Sequence, residues 1–156
     1  MTECVFCAIA CRTIPAFTIY EDDAVIAFMD VNPVNPGHAL VIPKSHIENI
    51  QDLDEAVYCK VMLTARRIAA AANSVYSPRK IGFAVAGFDV PHAHVHVIPM
   101  HDYHDITSKR YLDGTLKQAT PAELSHEATR ILRAIGLRTQ ELVEPLMIDD
   151  SLKVAD

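Results

Sequence analysis

Apolar and polar positions alternate along short stretches of the first hundred residues. That period of two, interrupted by one long stretch of helical period, sets the expected architecture. Phe17–Glu21 and Ala24–Met29 are β-leaning runs separated by Asp22 and Asp23, which predicts a hairpin. Val31–Gly37 carries two Asn-Pro pairs that forbid helix and favour a rigid turn, after which a third strand resumes over His38–Ile42 and ends at Pro43. From Asp54 to Val75 the residues Val57, Val61, Ala65, Ile68 and Ala72 recur at helical spacing, and the stretch has neither glycine nor proline, which predicts one long amphipathic helix. Ile81–Ala86 and His92–Ile98 supply two more strands, joined through Gly87–Pro91. The order β, β, β, α, β, β with hairpin-like links predicts an α+β fold: a roughly five-stranded antiparallel sheet with a long covering helix.

Beyond Pro99 the chain turns polar. Thr120, Pro121, Ala122 and Glu123 form a capping box with proline at the first helical position, so a helix is expected over 121–135 with Gly136 as its stop. Residues 1–103 are expected to form the catalytic domain and 104–156 an extension, whose last stretch from Leu137 carries no chemical signature. Among 156 residues the net charge is -6, which argues against an extended phosphate-binding surface and so against a nucleic-acid partner, while leaving room for one nucleotide in a local site. The apolar Cys4–Cys11 segment is too short to span a bilayer and lacks the basic flank of a signal peptide, so a cytoplasmic protein without a membrane partner is expected. In that compartment Cys4, Cys7, Cys11 and Cys59 are free thiols or metal ligands rather than disulfides.

His92, His94 and His96 occupy every second position of the last predicted strand, which places three imidazoles on one face while Ala93, Val95 and Val97 enter a core. With an unperturbed pKa of about 6.5, imidazole serves near neutrality as nucleophile, general base, general acid or metal ligand. The row is therefore a catalytic centre or a metal site. Cys4 and Cys7 form a CxxC pair open to three readings: half of a metal site, a redox pair, or two packed thiols. Lys44 stands near this region, but alternation does not fix its direction, and His101, His104 and His126 are assigned to solvent or to a dimer partner.

The stretch Pro-His-Ala-His-Val-His-Val-Ile-Pro at 91–99 resembles the histidine triad (HIT) family of nucleotidyl hydrolases and transferases. So do Ile-Pro-Ala at 14–16 with Tyr-Glu-Asp-Asp at 20–23, Ala-Phe-Met-Asp at 27–30, and Pro-Gly-His-Ala-Leu-Val-Ile-Pro-Lys-Ser-His at 36–46. The resemblance implies that His94 is the nucleophile that attacks the α-phosphorus of a nucleotide, that His96 donates to a non-bridging oxygen, and that His38 supports the nucleophile from the neighbouring strand. It implies a ribose-binding role for Asp30, with Phe28 and the aliphatic residues around Val25 and Ile26 available to wall the base. It implies a structural zinc on Cys4, Cys7, His46 and His92, no organic cofactor, and a homodimer made by joining two sheets. The partner it implies is a purine nucleotide or nucleotide conjugate, most simply a nucleoside phosphoramidate; a nucleotidyltransferase, a dinucleoside polyphosphate hydrolase or phosphorylase, a binding protein with negligible turnover, and a three-histidine catalytic metal site are the rivals.

One loop departs from the family pattern. Where the family carries a glutamine and a serine that contact the phosphate and the leaving group, this chain has Phe88 and Asp89. Asp89 either serves the leaving group as general acid or only shapes the turn before Pro91.

Overall fold

The computed structural model describes residues 4–107 and 116–136; the expected tail from 137 lies outside the described residues. The strands are β1 (Thr18–Glu21), β2 (Val25–Met29), β3 (Ala39–Pro43), β4 (Lys80–Ala84) and β5 (Val95–Met100). They form one antiparallel sheet in the order β1-β2-β3-β5-β4. The helices are α1 (Val5–Ala10), α2 (Glu55–Tyr76), α3 (His104–Thr107) and α4 (Pro121–Ile135). No helix among the described residues is long and apolar enough to cross a membrane.

Both faces of the sheet are covered, which is why β2 and β3 are buried at every position and show no alternation of burial. One face carries Val25, Ala27, Met29, Val41, Val95 and Val97 against Val61, Ala65, Ile68 and Ala72 of α2 and Leu124, Ala128, Ile131 and Leu132 of α4. The other face carries Ile26, Phe28, Leu40 and Ile42 against Phe6 of α1. α2 starts where the Asp54 carboxylate accepts the Val57 amide proton at 3.0 Å. α4 starts on the expected Thr120–Glu123 capping box and stops at Gly136, whose φ of 78° suits glycine.

Two expectations need correction. The triad strand does not begin at His92: pairing with β3 starts at Val41 opposite Val95, and the segment before it turns away, tied by the Ala93 amide to the Ile47 carbonyl at 2.7 Å. Proline ends β3, and the Pro43 carbonyl accepts the His92 side chain at 2.9 Å instead of a ladder amide. Nor do the histidines line an open surface. Cys4–Cys11, read above only as a short apolar stretch, contains α1, which lays Phe6 edge-on to His94 with ring centroids 5.1 Å apart, leaving His94 6% exposed and His92 fully buried.

Candidate active site

The imidazoles belong to two clusters on the same face of the sheet, and their hydrogen-bond partners assign each ring a tautomer. His94 Nδ1 lies 2.7 Å from the carbonyl oxygen of His92. A carbonyl only accepts, so Nδ1 carries the proton and Nε2 holds a free lone pair. This is the state required of a nitrogen nucleophile.

His38 is held in the opposite tautomer. The Val34 amide donates to Nδ1 at 3.1 Å, so the proton sits on Nε2, which faces His96 Nδ1 at 2.9 Å and Asp30 Oδ2 at 3.4 Å. His96 Nδ1 then accepts, and its own proton is placed on Nε2, available as a donor. Burial drives the His38 pKa below its usual value against the opposing pull of Asp30. Burial, with His38 and His94 as neighbours, lowers His96 to about 4. Both rings are therefore neutral near pH 7, as the bonded chain requires.

His38 thus meets His96 rather than His94. Asp30 is buried; its Oδ1 accepts the Asn32 amide at 2.8 Å in a turn, and its Oδ2 turns toward the histidines. Phe28 lies in the core, edge-on to Phe6 at 5.7 Å, and Val31, the residue after Asp30, is exposed. Phe88 is 95% exposed on the loop that leads into the triad, and Asp89 beside it is exposed too. Lys44 pairs with Glu21 at 2.7 Å.

Among the described residues, two groups of side chains have metal-ligand spacing. In the first, ligand atoms of Cys4, Cys7, His46 and His92 all lie within 4.8 Å of one another. His92 Nδ1 faces Cys4 Sγ at 3.4 Å and Cys7 Sγ at 3.5 Å, while His46 Nδ1 faces Cys7 Sγ at 3.3 Å. His92 donates its Nε2 proton to Pro43, which leaves Nδ1 free to ligate and is the outer-sphere bond expected of a ligating histidine. Burial, then the Cys4 thiol beside it, pushes the Cys7 thiol up to about 11, a penalty that a dication between the sulfurs would reverse. The donor set fits a tetrahedral Cys2His2 site.

The second group is Asp30, His38 and His96. Here the donors do not fit. His38 Nδ1 already accepts a hydrogen bond from the Val34 amide, so a cation on Nε2 would need an imidazolate, with neither ring nitrogen protonated. That group is a proton chain.

Sequence reasoning missed Phe6, the Val34 amide and the Pro43 carbonyl. The first had a faint signal, because Cys4 and Cys7 are also three apart on a helix, which puts the CxxC pair on one helical face. The other two are backbone groups and leave no trace in residue type.

An α+β domain that buries a hydrogen-bonded histidine chain beside a partly exposed Cys2His2 cluster on one face of an antiparallel sheet is the class defined by fold and site. The chain belongs to the HIT domain family, whose model matches residues 12–103. It is 40% identical over 106 residues to a HIT-like protein of Borreliella burgdorferi, covering 64% of this chain and 76% of that one. It is 35% identical over 100 residues to the adenosine 5'-monophosphoramidase of Saccharomyces cerevisiae, covering 64% of this chain and 63% of that one. The crystal structure of a zinc-bound histidine triad family protein from Mycobacterium smegmatis matches with a TM-score of 0.69 at 27% identity, covering 86% of this chain and 94% of that one.

Proposed function

We propose that this protein hydrolyses nucleoside phosphoramidates, or closely related nucleotide conjugates, at the α-phosphate through a covalent nucleotide on His94. The observation that carries the reading is the 2.7 Å bond from His94 Nδ1–H to the His92 carbonyl, which leaves Nε2 unprotonated. In the first step Nε2 bonds to phosphorus and the phosphorus–nitrogen bond breaks, the amine leaving with a proton taken from solvent, which the attacking water of the second step returns. The His92 carbonyl stabilises the positive ring that develops, and His96 Nε2–H is available to a non-bridging oxygen. Water then attacks phosphorus, releasing the mononucleotide and regenerating neutral His94. Asp30 is assigned to the ribose hydroxyls, with Val31, the next residue, against the base. With a fluorogenic adenosine phosphoramidate, His94→Ala is expected to lose about a thousandfold or more in kcat and to form no covalent adduct. Wild-type turnover retained by the variant would overturn the assignment.

A second reading keeps the same intermediate and passes its nucleotide to an acceptor other than water. Products formed with and without inorganic phosphate separate the two.

The same proposal includes a zinc on Cys4, Cys7, His46 and His92, where it would tie α1 to the segment carrying the nucleophile. Purified protein is expected to hold about one zinc per chain. Chelation should lower the melting temperature of the wild type and leave that of Cys7→Ser unchanged. Absence of metal together with insensitivity to chelator would exclude the site.

A further inference from the structure

The state of His38 depends on the loop between β2 and β3, because the donor to its Nδ1 is the Val34 amide. The loop is closed on itself by the Asp30 amide on the His38 carbonyl at 3.0 Å and the His38 amide on the Asn35 carbonyl at 3.1 Å. Its outer side is held by residues far away in sequence. Gly37, with φ +87°, lies so close to Tyr76 that a Cβ would collide with the ring at Cε2, Cδ2 and Cζ. The last residue of α2 therefore presses on the backbone immediately before His38.

Tyr76 is in turn fixed by α4. Its phenol donates to the Glu127 carboxylate. Burial, followed by that hydrogen bond, raises the phenol well above its usual range and keeps it a donor. The Arg130 guanidinium lies 4.5 Å from the ring centroid, donates to the Val75 carbonyl at 3.0 Å and reaches Glu127 at 3.7 Å. A second tie runs from the Ala119 amide to the Val31 carbonyl at 2.8 Å. Glu127, Arg130 and Ala119 all lie beyond the 12–103 segment that the family model matches.

We propose that Tyr76 and Glu127 are positioning residues for the reaction: acting through Gly37, they hold the loop so that the Val34 amide faces His38 and keeps its proton on Nε2, toward His96. If the loop relaxes, Nδ1 loses its donor and the other tautomer becomes accessible. In that tautomer the Nε2 lone pair would face the lone pair of His96 and the carboxylate of Asp30, and the chain of donors would break. The inference rests on the catalytic reading above only for its effect on rate, since the tautomer is observable without turnover.

The test measures kcat and KM for the adenosine phosphoramidate alongside imidazole nitrogen-15 spectra, which distinguish the two neutral tautomers of His38. Glu127→Ala is expected to lower kcat about tenfold, with KM changed by less than about twofold, and to give His38 a mixed tautomer signature. Glu127→Gln, whose amide oxygen still accepts from Tyr76, should recover most of both. If Glu127→Ala does not fold, Tyr76→Phe, which removes the same hydrogen bond and so the ring's tie to α4, carries the same test. A lower melting temperature with unchanged kcat and an unchanged His38 spectrum would reduce the contact to a structural brace and overturn the proposal. A shifted tautomer in a protein that turns over no phosphoramidate would overturn the proposed activity and leave the positioning role standing; an unshifted one would overturn it.

Discussion

A neutral imidazole has one donor and one acceptor, so its chemistry is decided by whatever occupies one of them. In this protein the Pro43 carbonyl, the His92 carbonyl and the Val34 amide make that decision for His92, His94 and His38. Alternation at 92–96 and the CxxC pair made the residues themselves legible in the sequence. Which nitrogen each ring presents was not, because main-chain groups set it. The depressed pKa values of His38 and His96 make the site a cost at low pH. Unfolded, each ring binds a proton below about 6.5; folded, both stay neutral well below that, His96 to about 4. The unfolded state therefore binds more protons in that window, and stability is full above about pH 6.5 and falls as the pH drops toward 4. Denaturant midpoints measured across this range should fall less steeply for His96→Gln, in which Asp30, His38 and His94 remain as neighbours. An identical slope in the variant would refute this account.

The elements with a strong internal period were readable. α2 buries Val61, Ala65, Ile68 and Ala72, the stripe predicted from spacing, and α4 lies between the predicted cap and the predicted stop. α1 was not readable. Six residues are too few for intrinsic propensity to decide, and its helix is stabilised by packing Phe6 on Phe28 and the histidines. The β5 boundary was missed because a side chain takes the carbonyl that a ladder amide would have used. Although α4 follows a polar stretch, it is integral to the main core: Leu132 is fully buried there with Ile131 and Ala128. Leu132→Ala should therefore cost about 3 kcal/mol in denaturant unfolding. A change below about 0.5 kcal/mol, as at a surface site, would mean that α4 is dispensable to the core.

At the scale of the molecule, the sheet ends on β4, an edge strand that carries half-exposed Phe83, with Val85 just beyond it and Leu63 exposed on α2. Among the described residues no strand pairs with the outer edge of β4, and a free edge next to exposed apolar side chains is a surface suited to a partner. We propose that a homodimer joined at β4, which the family resemblance implies, covers it. Sedimentation should give twice the chain mass for the wild type and a single chain mass for Phe83→Glu; a monomeric wild type would refute the arrangement. The two carbonyls that aim His92 and His94 have a further consequence. A carbonyl is present whatever side chain its residue bears, so no substitution at position 43 or 92 deletes either acceptor. His92→Ala removes a candidate metal ligand and keeps the atom that orients the neighbouring ring. The orientation of both rings is inherited with the path of the chain, while the side chains of the loop carrying Phe88 and Asp89 can diverge without removing either carbonyl.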